Sequence, residues 1–216
     1  MVLDNIKLGI FDHSGVLSDD RPPVYEANML LLEKYDVARI TFEEWLRASK
    51  ASVGDLVLSF GVNVPKEDIY REYERVYTEI VTRTDNPIRP NMYSDVPDVL
   101  RILREEKKLK LAIVSSHPRS NLIRELGEYG ILGFFDEISG DPMPKTERLK
   151  LICDEFQIPT SESFFVEDTV YGLRSGHQAR VHCFGVTTGY HSRDRLEAEG
   201  TAVAVVDSLR ELLEHL

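Results

Sequence analysis

Five short runs, apolar on both faces, constrain this chain more than any other feature: residues 7–11, 110–114, 163–166, 181–186 and 202–206. A strand that is hydrophobic on both sides has to be covered on both sides, as in a parallel sheet flanked by helices. Segments with helical spacing alternate with the later runs, over 96–107, 118–129, 146–156, 170–179 and 208–215. Pro118 suits a first helical turn, and Ser94 or Asp95 suits the cap of the helix that carries Val99. The alternation predicts an α/β fold with a doubly wound, mostly parallel sheet.

One stretch breaks the alternation. Between Pro22 and Arg89 the pattern is helical throughout, with no convincing strand. Thr41-Phe42-Glu43-Glu44 reads as a capping box ahead of Trp45 and Leu46. Ile69, Tyr73, Val76, Tyr77 and Ile80 share one helical face. About four helices are therefore expected as an insertion after the first strand, between segments rich in proline and charge at 19–23 and 85–90. The expected division is a core of 1–19 and 88–216 carrying a helical cap of 20–87.

Composition narrows the function classes. The net charge of −11 repels nucleic acid and anionic membranes, so neither is an expected partner. It does not exclude an anionic small molecule, because a bound metal and a few cations reverse the potential inside one cleft. No apolar run approaches the roughly 20 residues that span a bilayer, and residues 1–8 do not resemble a signal peptide. Cys153 and Cys183 read as free thiols in a reducing compartment, so a cytoplasmic location is expected.

In open α/β sheets, ligands bind beyond the carboxyl ends of the strands. Asp12 follows the first run, Ser115-Ser116-His117 the second, Glu167-Asp168 the third, and Lys145 opens the helix after the segment around 134–138. An acid, hydroxyls, a lysine and an acidic pair on one sheet edge are what phosphoryl transfer through an aspartyl intermediate requires. A carboxylate attacks, carboxylate-held Mg²⁺ offsets phosphate charge, and a hydroxyl and a cation bind the remaining oxygens.

These residues resemble the haloacid dehalogenase superfamily, in its branch of phosphoglycolate phosphatases, β-phosphoglucomutases and phosphonatases, over nearly the whole chain. The family's first motif, Asp-x-Asp-Gly-Thr/Val, is matched by Asp12-His13-Ser14-Gly15-Val16. Ser115 ending Leu111-Ala112-Ile113-Val114 matches the second. Lys145, 23 residues before Asp168 (168 − 145), matches the third, and Glu167-Asp168-Thr169-Val170-Tyr171-Gly172 the fourth. The resemblance implies a Rossmann-like core with an inserted helical cap, and a hydrolase using Mg²⁺. It implies Asp12 as nucleophile and metal ligand, with the carbonyl of Ser14, Asp168 and Glu167 completing the protein ligands. Ser115 would bind a phosphate oxygen, and Lys145 would pair with Asp12 and offset the clustered negative charge. The implied partner is a small phosphorylated metabolite, bound by a monomer or homodimer.

One position departs from the pattern. The family's phosphatases carry a second aspartate two residues after the first, as general acid–base, and here that residue is Ser14. Loss of such assistance typically costs 10²–10⁴-fold. Three readings stay open: a phosphatase of low or unusual efficiency, with His13, His117 or a cap residue in place of the acid; a phosphonatase-like C–P hydrolase using Lys50 as Schiff-base lysine; or a non-catalytic phosphometabolite-binding protein. Dehalogenation fits less well, because that branch resembles Asp-x-Tyr-Gly and works without metal. Ser116, Arg47 and Lys50 are further candidates for binding substrate anions.

Overall fold

A computed structural model describes residues 2–140 and 144–216. Leu8–Phe11 (β1) lies between Lys110–Ser115 (β2) and Ser163–Glu167 (β4), parallel to both. Glu137–Gly140 (β3) pairs outside β2, His182–Val186 (β5) outside β4, and Ala204–Val206 (β6) outside β5, all parallel. The order is therefore β3-β2-β1-β4-β5-β6. It reverses direction between β1 and β4, the switch point at which doubly wound sheets bind their ligands. The α/β expectation holds.

Burial follows the sequence pattern. Leu8, Ile10 and Phe11 are fully buried, as are Leu111 to Val114 and Phe164 to Val166. β2 and β4 each run one residue beyond the expected strand, to Ser115 and Glu167, so these two side chains sit on the last ladder positions. β3 was not expected as a strand. Its residues are mostly half-buried at the sheet edge, and Glu-Ile-Ser-Gly carries little apolar signal.

The chain divides into two compact units, 20–91 and the remainder. The first contains four helices: Arg21–Lys34 (α1), Phe42–Ala48 (α2), Val53–Ser59 (α3) and Lys66–Thr82 (α4). Proline in the first turn starts α1. At α2 the capping box forms as expected: Thr41 accepts from the Glu44 amide, and the Glu44 carboxylate accepts from the Thr41 amide. α4 buries Ile69, Tyr73, Val76, Tyr77, Ile80 and Val81, the face its spacing predicts. Trp45 is buried against the rings of Tyr25 and Phe42.

In the larger unit the helices are Val96–Arg101 (α5), Arg119–Glu128 (α6), Lys145–Phe156 (α7), Val170–Ala179 (α8), Arg193–Glu199 (α9) and Leu209–Leu212 (α10). α5 widens into a π-helical turn over Ile102–Glu106, where a single α-helix is expected. Helix α9 was not expected at all. Two apolar clusters cover the two faces of the sheet. Phe11, Ile113, Phe164 and Val166 pack with α5, α6 and α10, while Ile10, Val114 and Phe165 pack with α7, α8 and α9. Alternate strand residues thus serve opposite layers, as the period of two requires.

Candidate active site

The carboxyl ends of β1 and β4 meet at the switch point. Phe11 pairs with Val166, and the Asp12 amide donates to the Val166 carbonyl at 3.0 Å, carrying the ladder one step past the strand. Asp12 and Glu167 are thereby brought side by side. Asp12, Glu167 and Asp168 are all buried, and each offers an oxygen within 4.8 Å of the others.

Lys145 answers part of this charge. Its Nζ donates to Oδ2 of Asp12 and to Oε2 of Glu167, both at 2.6 Å. Burial alone would depress the ammonium, but Asp12 and Glu167 overcome it and hold Lys145 above the ordinary lysine range. Burial pushes Glu167 upward against the pull of Lys145. Asp168 is pushed well up, by burial first and then by Glu167 and Asp12. One lysine against three carboxylates leaves the cluster short of positive charge.

The other contacts fix the carboxylates rather than neutralise them. Oε1 of Glu167 accepts from the amides of Asp168 and Thr169 and from the Thr169 hydroxyl. Thr169 in turn caps α8. Oδ2 of Asp168 accepts from the Tyr190 amide at 2.7 Å, and Oδ1 of Asp12 from the His13 amide at 2.8 Å.

Two glycines make room for this packing. Gly15 sits at φ +72°, in the left-handed region, and a Cβ there would collide with the Asp168 carboxylate. A Cβ on Gly172 would collide with that of Glu167. A buried, all-oxygen, charge-deficient cluster with its approach kept free of side chains fits a hard divalent cation such as Mg²⁺. Asp12, Asp168 and Glu167 would supply its carboxylate oxygens.

Ser115 closes the site on the β2 side. Its hydroxyl accepts from the His117 amide at 3.2 Å, and its carbonyl accepts from Nη1 of Arg148 at 3.2 Å. Ser116 is exposed beside it, and Ser14 is half-exposed in the turn after Asp12. That turn is built on the His13 carbonyl, which accepts from the amides of Val16, Leu17 and Ser18. Thr188 braces it through a 2.5 Å bond from its hydroxyl to the Gly15 carbonyl. His13 itself is fully buried with its ring toward Glu125, and burial lowers it to about 4. Such an imidazole is not a proton donor to a substrate at neutral pH. Arg47 and Lys50 belong to the inserted unit, where both are exposed, at the end of α2 and just beyond it.

Sequence reasoning missed Arg148, Glu125 and the 187–191 loop. Arg148 carries a usable signal, being one turn from Lys145 on the same helix. Gly189 follows a strand's carboxyl end, the place where ligand loops occur.

Comparison with known proteins agrees with this geometry. The family model for haloacid dehalogenase-like hydrolases matches residues 9–186. The protein named "Probable phosphatase IndB" of Dickeya dadantii is 28% identical over 220 residues, spanning 95% of this chain and 91% of its own. A phosphoglycolate phosphatase of Pseudomonas fluorescens is 26% identical over 217 residues, spanning 96% and 78%. Among solved structures, a haloacid dehalogenase-like family hydrolase of Streptococcus pneumoniae superposes with a TM-score of 0.82 at 15% identity, over 98% and 99% of the two chains. The matched region runs from within β1 to the end of β5 and so contains every carboxylate of the site and its lysine. With sequence, sheet order and site geometry in agreement, the chain belongs to the haloacid dehalogenase-like hydrolases.

Proposed function

We propose that this hydrolase is a Mg²⁺-dependent phosphatase of small phosphate monoesters, working through an aspartyl-phosphate on Asp12. The observation that carries the reading is the Lys145 bridge between Asp12 and Glu167 beside Asp168. It holds one carboxylate oxygen of Asp12 in a cluster that still needs a divalent cation. Relatives named for phosphoglycolate and for phosphorylated carbohydrates support a phosphorylated acid or sugar as substrate.

Asp12 attacks phosphorus, the ester P–O bond breaks, and the leaving oxygen takes a proton. Water then attacks the same phosphorus, the Asp12–phosphate bond breaks, and inorganic phosphate leaves. The Ser115 hydroxyl and nearby amides bind the non-bridging oxygens of the phosphoryl group as it is transferred. Bound Mg²⁺ would neutralise phosphate charge in both steps. Ser14 has no carboxyl group for the proton, so leaving-group protonation falls to solvent or to the substrate's own acid, and turnover is slow. The inserted helical unit is assigned the role of a cap that selects substrate.

A hydrolysis screen over phosphate monoesters, with and without Mg²⁺, tests the reading. Metal-dependent release of phosphate, lost in Asp12→Asn, is expected. Equal activity in that variant overturns it, and a wild type that binds phosphate without releasing it favours a binding protein.

A further inference from the structure

Beside the carboxylates lies a second buried polar cluster that the chemistry above does not use. Its centre is Glu125, on α6 and 1% exposed. Oε2 of Glu125 lies 3.5 Å from Nε2 of His13, and Oε1 lies 3.4 Å from Nε2 of His117. The two imidazoles are stacked nearly parallel, with centroids 5.6 Å apart and planes inclined by 10°. The Tyr129 ring is also parallel to His13, at 6.5 Å and 8°, and its hydroxyl lies 2.7 Å from that of Ser18. Arg124 supplies the counter-charge at 3.1 Å from Oε1 of Glu125, and also binds Asn121 at 2.6 Å.

The arrangement joins the two loops on which phosphoryl transfer depends. His13 directly follows the nucleophile, and its amide holds Oδ1 of Asp12. The His117 amide holds the hydroxyl of Ser115. One carboxylate therefore faces the side chains of both residues whose amides orient the attacking group and the phosphate-binding group. A carboxylate buried this deeply is costly unless it is paired and hydrogen-bonded; Arg124 and His117 supply those partners, and His13 lies in contact with its second oxygen.

We propose that Glu125 is a positioning residue that sets the Asp12 loop and the Ser115 loop in mutual register through His13 and His117. The inference rests on the phosphatase reading for its consequences, but not for its geometry. Loops uncoupled by loss of this carboxylate drift by fractions of an ångström, and a displacement on the order of 1 Å costs up to roughly a hundredfold in rate.

Glu125→Gln keeps the shape and removes the charge; His117→Asn breaks the same link from the other end and covers the case in which the first variant fails to fold. Both are compared with wild type for kcat, for KM, for inorganic phosphate binding in the presence of Mg²⁺ and for Tm. At temperatures well below each Tm, kcat is expected to fall by about tenfold or more and phosphate binding to weaken, with Mg²⁺ affinity little changed. The double variant is expected to be no worse than the poorer single, because both cut one connection. A lower Tm with kcat and phosphate affinity within twofold of wild type overturns the proposal, as do additive effects. If wild type shows no turnover, the phosphatase reading fails separately and phosphate binding alone decides for Glu125. A wild type that does neither overturns both.

Discussion

The ammonium of Lys145 lies 2.6 Å from Oδ2 of Asp12, and the same nitrogen lies 2.6 Å from Glu167. The two residues are 133 positions apart in the chain. Their meeting is a consequence of sheet order: β1 delivers Asp12 at the switch point, and α7 begins with Lys145 beside the same edge.

Lys145→Met is therefore expected to separate binding from turnover. In the proposed mechanism the lysine orients Asp12 and stabilises charge in the transition state, so kcat should fall by about a hundredfold or more. The metal loses a competing cation, so Mg²⁺ affinity measured by calorimetry should hold or tighten. Loss of metal binding together with activity would show that the lysine instead maintains the fold of the site.

Gly172→Ala sets helix propensity against packing. Gly172 lies in the first turn of α8, where alanine is favoured by up to about 1 kcal/mol. Its Cβ would strike a Glu167 carboxylate already fixed by two amides, a hydroxyl and Lys145. Packing is expected to win: the variant should bind Mg²⁺ about tenfold or more weakly, as when groups that orient a ligand are disturbed. Unchanged metal binding with a raised Tm would mean that the carboxylate yields.

What sequence alone disclosed, and what it did not, divides along physical lines. Strand-end residues were legible because buried parallel strands are continuous apolar runs, and whatever follows one stands at the ligand-binding edge. Asp12, Ser115, Glu167 and Asp168 were all placed at that edge in this way, and the strands do end there. The Glu125 cluster was not, because His13 and Glu125 meet only through tertiary packing of α6 against the sheet, and neither position carries a periodic signal. The π-turn at Ile102–Glu106 and the short helix α9 were hidden for a related reason. A local widening leaves the apolar spacing almost unchanged, and seven residues offer too little periodicity to read.

Acid should unfold the protein partly through His191. Its Nδ1 accepts from the Val170 amide at 3.0 Å, and burial, with Arg195 adding to it, lowers the imidazole from 6.5 to about 4. Below the ordinary value the unfolded chain binds a proton that the folded chain refuses, so stability is lost as pH falls from about 6.5 toward 4. Between pH 7 and pH 5 this one group accounts for about 2 kcal/mol. Glu167 and Asp168, both raised, act in the opposite direction, which is why the comparison needs a variant. Urea midpoints of His191→Gln should fall less between pH 7 and pH 5 than those of wild type; parallel losses would remove His191 from the account.

Ser14→Asp tests whether a missing carboxyl group limits the proposed reaction. Ser14 follows Asp12, the proposed nucleophile, by two positions and is half-exposed, whereas His13 is fully buried against Glu125 and lowered to about 4. A carboxyl group at position 14 would supply the proton that the leaving oxygen needs and then take one from water. Turnover of a monoester with a poor leaving group should rise by up to roughly 10²–10⁴-fold, the range that general acid–base assistance spans. An activated aryl phosphate, whose leaving group needs no proton, should gain far less. The ratio of the two gains is the measurement. If both substrates gain equally, the substitution acts through binding, and if neither gains, position 14 does not face the leaving group.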